Sequence, residues 1–355
     1  MSHVTIGSRK IGPGEPLYFV ADVGANHDGS LDRAYRLIEL AAEAGADAAK
    51  FQNFIAPKIV SRRGFEELGA QVAHQSKWAK PVFEVYEDAS VPEDWTPLLA
   101  ERCREVGVDY FTSPYDLATV DAVDAHVPAF KIGSGDITWL EIVRHIGGKG
   151  KPVLIAAGAS DQLDVDRALA ALRERTDDIV LMQCNTNYTA DPANLHHVNL
   201  AVLADWAVRY PDAVLGLSDH TAGHVTVCAA VALGARVFEK HFTDDNDREG
   251  PDHAFAMTPA SWREMVDRAR ETDAALGDGV KRVEANELEA AVVQRRALRF
   301  ARDLPAGHRL GPDDVIPTRP CPADGLPPYR IADVLGRDLT EAVSGDSLVR
   351  LEGLA

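Results

Sequence analysis

The sequence predicts an α/β protein, a (β/α)8 TIM barrel followed by a small β-rich domain. Three observations carry that expectation. Eight short apolar runs rich in Val, Ile, Leu and Phe lie at 17–24, 48–54, 109–115, 129–135, 152–158, 179–185, 213–220 and 236–243. Amphipathic stretches such as 31–44, 94–106, 162–175 and 224–233 alternate with them, as βα units should. After a further helical stretch at 259–276 the pattern changes to short β-like runs broken by PAG, GPDD, CPADG and SGD turns.

The strands read as nearly continuous hydrophobic runs, which suits a parallel sheet covered on both faces, and their number suits a closed barrel better than an open sheet. A barrel of about 250 residues plus a compact module accounts for a chain of 355 residues. The expected division is a barrel domain over 1–276, a charged, partly helical linker over 277–295 and a β-rich domain over 296–355.

Composition narrows the function. A chain 46% hydrophobic and 26% charged can bury a large core. No run approaches the roughly 18 apolar residues of a membrane span, and the N-terminus lacks the apolar segment of a secretory signal, so a cytoplasmic protein with no membrane partner is expected. The four cysteines (Cys103, Cys184, Cys228 and Cys321) form no CxxC pair, which argues against a disulfide framework or a zinc ribbon. A net charge of −18 argues against a nucleic-acid partner. Any positive charge that binds an anionic substrate must then be local.

Barrel enzymes take their reactive groups from the C-terminal ends of the strands. Here those ends carry Asp22, Asn26, His27, Lys50, Gln52, Lys131, Ser134, His220 and His241. In the segment VADVGANHDGS, Asn26, Gly29 and Ser30 can form a turn and a helix cap and nothing more. Lys50 and Gln52, two apart on the next strand, share one face. A lysine inside a barrel needs an anionic partner. Lys131 precedes Gly133-Ser134-Gly135, whose amides and hydroxyl are expected to open a helix and offer an anion site. His220 and His241 end neighbouring strands, so both imidazoles can reach one ion, and two histidines with nearby carboxylates suit Mn2+, Fe2+ or Zn2+. His224, His253, His196 and His197 read as solvated or helix-facing, and Cys184 as a buried small hydrophobe.

The motifs ANHDG, GADAAKFQ, FTSP, FKIGSGD, GLSDHT and FEKHFT…GPDH resemble those of the sialic acid synthase family, the N-acetylneuraminate, legionaminate and pseudaminate synthases. The likeness runs nearly the whole chain, and the C-terminal part resembles the antifreeze-like (SAF-type, β-clip) domain of those enzymes. It implies condensation of phosphoenolpyruvate with an open-chain sugar aldehyde and release of phosphate. By position it makes His220 and His241 the ligands of a divalent metal, Mn2+ first, with Mg2+, Co2+, Fe2+ and Zn2+ as alternatives. It assigns Lys50, Thr112, Lys131, Ser134 and Ser218 to phosphoenolpyruvate, and Asp22, Tyr188 and Asp252 to the sugar side. Asn26 and Gln52 join the substrate-binding set. Arg319 matches an arginine that reaches the partner's active site in domain-swapped homodimers, so a homodimer is implied.

Four departures from the family pattern bear on the sugar more than on the chemistry. Asp22 stands where the family has glutamate, and Ala156-Ala157-Gly158 where it reads Ser-Thr-Gly. CNTNYTAD shifts the asparagines, and RPCPADGL is longer than the family's arginine-proline-glycine turn. Two rivals are a synthase acting on a phosphorylated sugar, which needs a further arginine cluster, and a catalytically silent sugar-binding barrel.

Overall fold

The computed structural model describes residues 2–68, 78 and 80–355. The chain divides into two compact units, Met1–Gly277 and Asp278–Ala355.

The first unit opens with an antiparallel hairpin, β1 (Val4–Ile6) and β2 (Arg9–Ile11). Eight parallel strands follow: β3 (Tyr18–Asp22), β4 (Ala48–Asn53), β5 (Asp109–Pro114), β6 (Phe130–Ile132), β7 (Val153–Ala156), β8 (Ile179–Cys184), β9 (Val214–Asp219) and β10 (Val237–His241). Their order is β5-β4-β3-β10-β9-β8-β7-β6. The end strands β5 and β6 also approach each other, so the sheet curls into a near-closed barrel. The fold is therefore the one expected, and all eight apolar runs become its strands.

Two apolar layers hold the barrel. Outward-facing residues, among them Phe19, Phe51, Leu217 and Phe238, pack under the helices. Phe19 and Phe238, both fully buried, stack with ring centroids 5.6 Å apart. Inward-facing Tyr18, Val20, Ala48, Val180, Val214 and Val237 meet Val4, Ile6 and Ile11 of the hairpin. These strand residues lie toward the N-terminal ends, so the hairpin plugs the end of the barrel opposite the polar residues.

The helices start where local chemistry directs. Ser30 caps Leu31–Glu43 by accepting from the Arg33 amide at 3.3 Å, and Ala34, Leu37, Ile38 and Ala41 form its buried stripe. Thr258 caps Pro259–Leu276, where proline at the first turn costs no hydrogen bond. That helix buries Trp262, Met265, Val266 and Ala269.

The second unit begins with a short helix, Leu288–Val293, and pairs β11 (Ala297–Phe300) antiparallel with β12 (Val315–Thr318). Isolated bridges such as Arg299 to Leu348 and Leu304 to Val343 extend the pairing. Leu298, Phe300, Leu310, Val334 and Val349 form its own small core. Among the described residues, no helix is long and apolar enough to cross a membrane.

Phe19→Ala should cost roughly 3–5 kcal/mol of stability, because the rigid barrel wall cannot collapse around the lost ring. Urea unfolding of the purified variant checks this. A loss under about 1 kcal/mol would show that the outer layer is plastic.

Candidate active site

Strand alternation sends Asp22, Lys50, Lys131, Ser218, Glu239 and His241 into the barrel. Asp22 pairs in register with Lys50 on one side and with His241 on the other. The Lys50 ammonium lies 2.7 Å from Asp22 Oδ2 and 3.6 Å from Glu239 Oε1. The Lys131 ammonium lies 3.2 Å from the same Glu239 oxygen. Gln52 donates to Asp22 Oδ2 at 3.2 Å, and Ser218 donates to Glu239 Oε1 at 3.3 Å. All four charged side chains are buried.

Burial alone would neutralise such groups. Burial pushes the Asp22 carboxyl up, but Lys50 and His241 outweigh it and hold its pKa below the ordinary value. Burial likewise pulls Lys50 down, but Asp22 and Glu239 carry it above the usual lysine range. The two buried cations thus already face two carboxylates. Glu239 keeps its second oxygen, Oε2, buried without a hydrogen-bond partner among the described residues. Glu239 is not among the residues that the sequence singled out. The signal was present: in VFEKHF, period two puts Glu239 on the face of His241.

His220 follows directly on β9 and His241 closes β10, and their ring centroids are 5.4 Å apart. His220 Nδ1 lies 2.9 Å from the Asn185 carbonyl, an acceptor only, which makes Nδ1 the donor and leaves Nε2 with a free lone pair. His241 Nδ1 is buried without a hydrogen-bond partner among the described residues, 3.7 Å from Asp252, and Nε2 is 3.7 Å from Asp22. Tyr188 covers both rings, with centroids 4.2 and 5.9 Å away. Two oriented imidazoles beside two carboxylates fit a borderline divalent ion. Among the described residues no group of three or more His, Cys, Asp and Glu is arranged around one point, so the chain offers two nitrogens and leaves the other positions open.

A cavity of about 400 Å³ opens at this end of the barrel, lined by Gln52, Tyr115, Ser134, Asp136, Thr186, Tyr188, His241 and Asp252. Lys50 and Glu239 lie one inward layer below Gln52 and His241. A second cavity of about 670 Å³ shares Ala25, Trp78, Val85, Ala89 and Pro251 with the first and adds Asp28, Lys80, Asp88 and Glu249. Burial pushes the Asp136 carboxyl up to about 6. Burial also holds the Tyr115 and Tyr188 hydroxyls well above their ordinary range, so both stay protonated. Asp136, next to the GSG amides and the Ser134 hydroxyl, is a second residue that the sequence did not single out.

Ser134 Oγ accepts from the Gly158 amide at 3.0 Å. A Cβ on Gly158 would stand 1.9 Å from Thr186 Oγ1, so the absence of a side chain there lets Thr186 reach the wall. Cys184 lies 3.9 Å from His220 Nδ1. Burial works against charge on both, yet each draws the other toward its charged form, lowering the Cys184 pKa and raising that of His220. Cys184 is buried, as expected of a small hydrophobe. Gly24 adopts φ +51°, and a Cβ there would lie 2.8 Å from Asp252 Oδ2. Asp252 accepts from the Ala25 amide at 3.1 Å, which ties it to the first turn.

Several expectations are corrected. Thr112 faces outward: it is fully buried, donates to Asn53 Oδ1 at 2.5 Å, and accepts from the Asn53 amide at 3.2 Å. Its neighbour Ser113 takes the inward position, with a buried hydroxyl lacking a partner among the described residues. One step along a strand exchanges the faces. Asn26 presents no surface to the cavity; it is fully buried, and its amide donates to the Phe242 carbonyl at 2.9 Å. Ser134–Asp136 is a single 3₁₀ turn, and the helix Leu140–Gly147 starts later, so no helix N-terminus sits at the GSG segment. His253 is fully buried rather than solvated, 2.7 Å from Thr243 Oγ1 and 2.9 Å from Asp28. Arg319 belongs to the second unit, where it is exposed.

Lys50→Met should cost about 3–5 kcal/mol, since it strips a cation from two buried carboxylates; chemical unfolding near neutral pH reads the loss, and a neutral result would mean the carboxylates are protonated. Asp136→Asn should act oppositely. The folded Asp136 keeps its proton up to about pH 6, whereas the unfolded carboxyl releases it near 3.8, so the native state loses stability as pH rises through that window. The variant should gain roughly 1–3 kcal/mol at pH 8 and little at pH 4. Thermal melts at the two pH values compare them, and an equal gain at both would refute the titration.

Comparison with known proteins places the chain in a family. The NeuB family model matches residues 37–281, and the SAF domain model matches residues 295–355. The chain is 31% identical to the N,N'-diacetyllegionaminic acid synthase of Legionella pneumophila, over 98% of this chain and 97% of that protein. It is 35% identical to the spore coat polysaccharide biosynthesis protein SpsE of Bacillus subtilis, over 81% of this chain and 76% of that protein. Among solved structures, the N-acetylneuraminic acid synthetase of Leptospira borgpetersenii, in complex with citrate, superposes with a TM-score of 0.71 at 26% identity. It covers 81% of this chain and 95% of its own.

Proposed function

This chain belongs to the NeuB family, and we propose that it condenses phosphoenolpyruvate with an open-chain sugar aldehyde to make a sialic-acid-like 3-deoxy-2-ulosonic acid, releasing phosphate. The observation that carries the reading is the convergence of Lys50, Lys131, Asp22 and Glu239 directly beneath the His220 and His241 pair, at the mouth where barrel enzymes react.

In this reading Lys131 and Ser134 bind the phosphate and Lys50 the carboxylate of phosphoenolpyruvate, with Ser218 and the inward Ser113 adding hydroxyls. A divalent ion on His220 and His241, Mn2+ by preference, supplies Lewis acidity toward the aldehyde oxygen when bound. Carbon three of phosphoenolpyruvate bonds to the aldehyde carbon as the aldehyde C=O π bond opens and its oxygen takes up a proton, water adds at carbon two, and the tetrahedral intermediate breaks its C–O bond to phosphate as the carbon-two carbonyl forms. Asp22 is held ionised by Lys50 and accepts the proton of that water. Tyr188 and Asp252 orient the sugar, and most of the rate gain comes from positioning. The dimer-forming role of Arg319 belongs to the same reading, in which the active enzyme is a domain-swapped homodimer.

The sugar carries no phosphate. Among the described residues, the charged lining of the outer cavity is Asp28, Lys80, Asp88 and Glu249, without the arginine cluster that a second phosphate calls for.

The test presents N-acylated hexosamines, unsubstituted hexoses and pentoses with phosphoenolpyruvate and Mn2+, reading phosphate release and product mass. One aldose class should turn over, and His241→Ala should lower kcat at least about 100-fold. Phosphoenolpyruvate binding with no phosphate release from any aldose would leave a silent barrel.

A further inference from the structure

Behind the two histidines, on the opposite face of their strands, lies an ion pair that the reaction itself does not use. Asp219 precedes His220 and Lys240 precedes His241, so alternation turns both toward the helix layer. They are register partners across β9 and β10. The Lys240 ammonium lies 2.5 Å from Asp219 Oδ2 and donates to the Thr221 carbonyl at 2.5 Å. Asp219 also accepts from the Thr221 amide at 3.1 Å, the Thr221 hydroxyl at 2.9 Å and the Thr226 hydroxyl at 2.6 Å. Both charges are almost wholly buried, at 4% and 2% exposure.

Such a pair is a poor source of stability, because two desolvated charges cost about as much as their attraction returns. Apolar side chains would suit the surrounding layer of Leu217 and Phe238 better. What the pair does provide is position. Residues 219 and 221 flank His220, and residue 240 adjoins His241. A single hydrogen-bonded cluster therefore holds the backbone on both sides of one ring and next to the other.

We propose that the Asp219–Lys240 pair is a positioning device that sets the spacing of the two imidazoles for one divalent ion. The inference rests on the reading of His220 and His241 as metal ligands. Neither histidine can shift along its strand without parting the ammonium from the carboxylate or from the Thr221 carbonyl. The cluster lies behind the ligands and touches neither substrate nor metal.

The test measures Mn2+ affinity by electron paramagnetic resonance, with thermal melts in parallel, so it does not depend on turnover. The double variant Asp219→Asn with Lys240→Met removes both charges at nearly constant volume. It should keep its fold and weaken Mn2+ binding about 10–100-fold, whereas the single variant Lys240→Arg, which keeps the ion pair, should retain most of the affinity. Thr226→Val, which keeps both charges and deletes one donor to Asp219, should weaken binding less. His220→Ala serves as the reference. Mn2+ binding that survives His220→Ala overturns the metal reading and this inference with it. Binding abolished by His220→Ala but unchanged in both the double variant and Thr226→Val, whatever their melting temperatures, overturns the inference alone.

Discussion

Everything at the mouth of this barrel depends on keeping four charges out of water. Lys50 stands between Asp22 and Glu239, and Glu239 stands between Lys50 and Lys131. Each member offsets a desolvation cost that the others could not meet alone. The consequence is chemical as well as structural. Asp22 stays ionised and Lys50 stays protonated in surroundings that would otherwise neutralise both. A site held in defined charge states by its own members needs little reorganisation when charge develops on a substrate.

The strand's period of two divides the labour. Inward positions on β3, β4, β9 and β10 carry Asp22, Lys50, Ser218, Glu239 and His241, while the adjoining outward positions carry Phe51, Leu217 and Phe238. Asp219 and Lys240 break the apolar pattern of the outer face at the two positions next to the histidines, and there they meet each other. Thr112 and Ser113 show how sharp the division is, because neighbouring hydroxyls serve opposite sides of the wall.

The loops complete what the strands begin. Asp252 reaches the mouth because its segment folds back onto the first turn, where Gly24 leaves room for its carboxylate. His253 anchors that segment by bridging Thr243 and Asp28, and Arg33 binds Asp28 and Asp244 from the first helix. Of the acidic lining of the outer cavity, Asp28 and Glu249 come from the same segments, and Asp88 from the helix Val82–Ala89.

The sequence by itself determined the barrel, because eight apolar runs separated by amphipathic helices have few other ways to bury themselves. It also determined that Lys50, Lys131, His220 and His241 would gather, since strand ends of a barrel converge whatever the loops do. Tertiary structure decided the partners. Glu239 reads as an ordinary strand residue until β10 lies opposite both lysines, and Asp136 reads as a turn residue until burial lifts its carboxyl to about 6. The resemblance put Thr112 and Asn26 in the substrate-binding set, but a hydrogen bond to a neighbouring strand claims each of them. Those contacts join residues far apart in the chain, and local periodicity carries no information about which distant group will stand opposite.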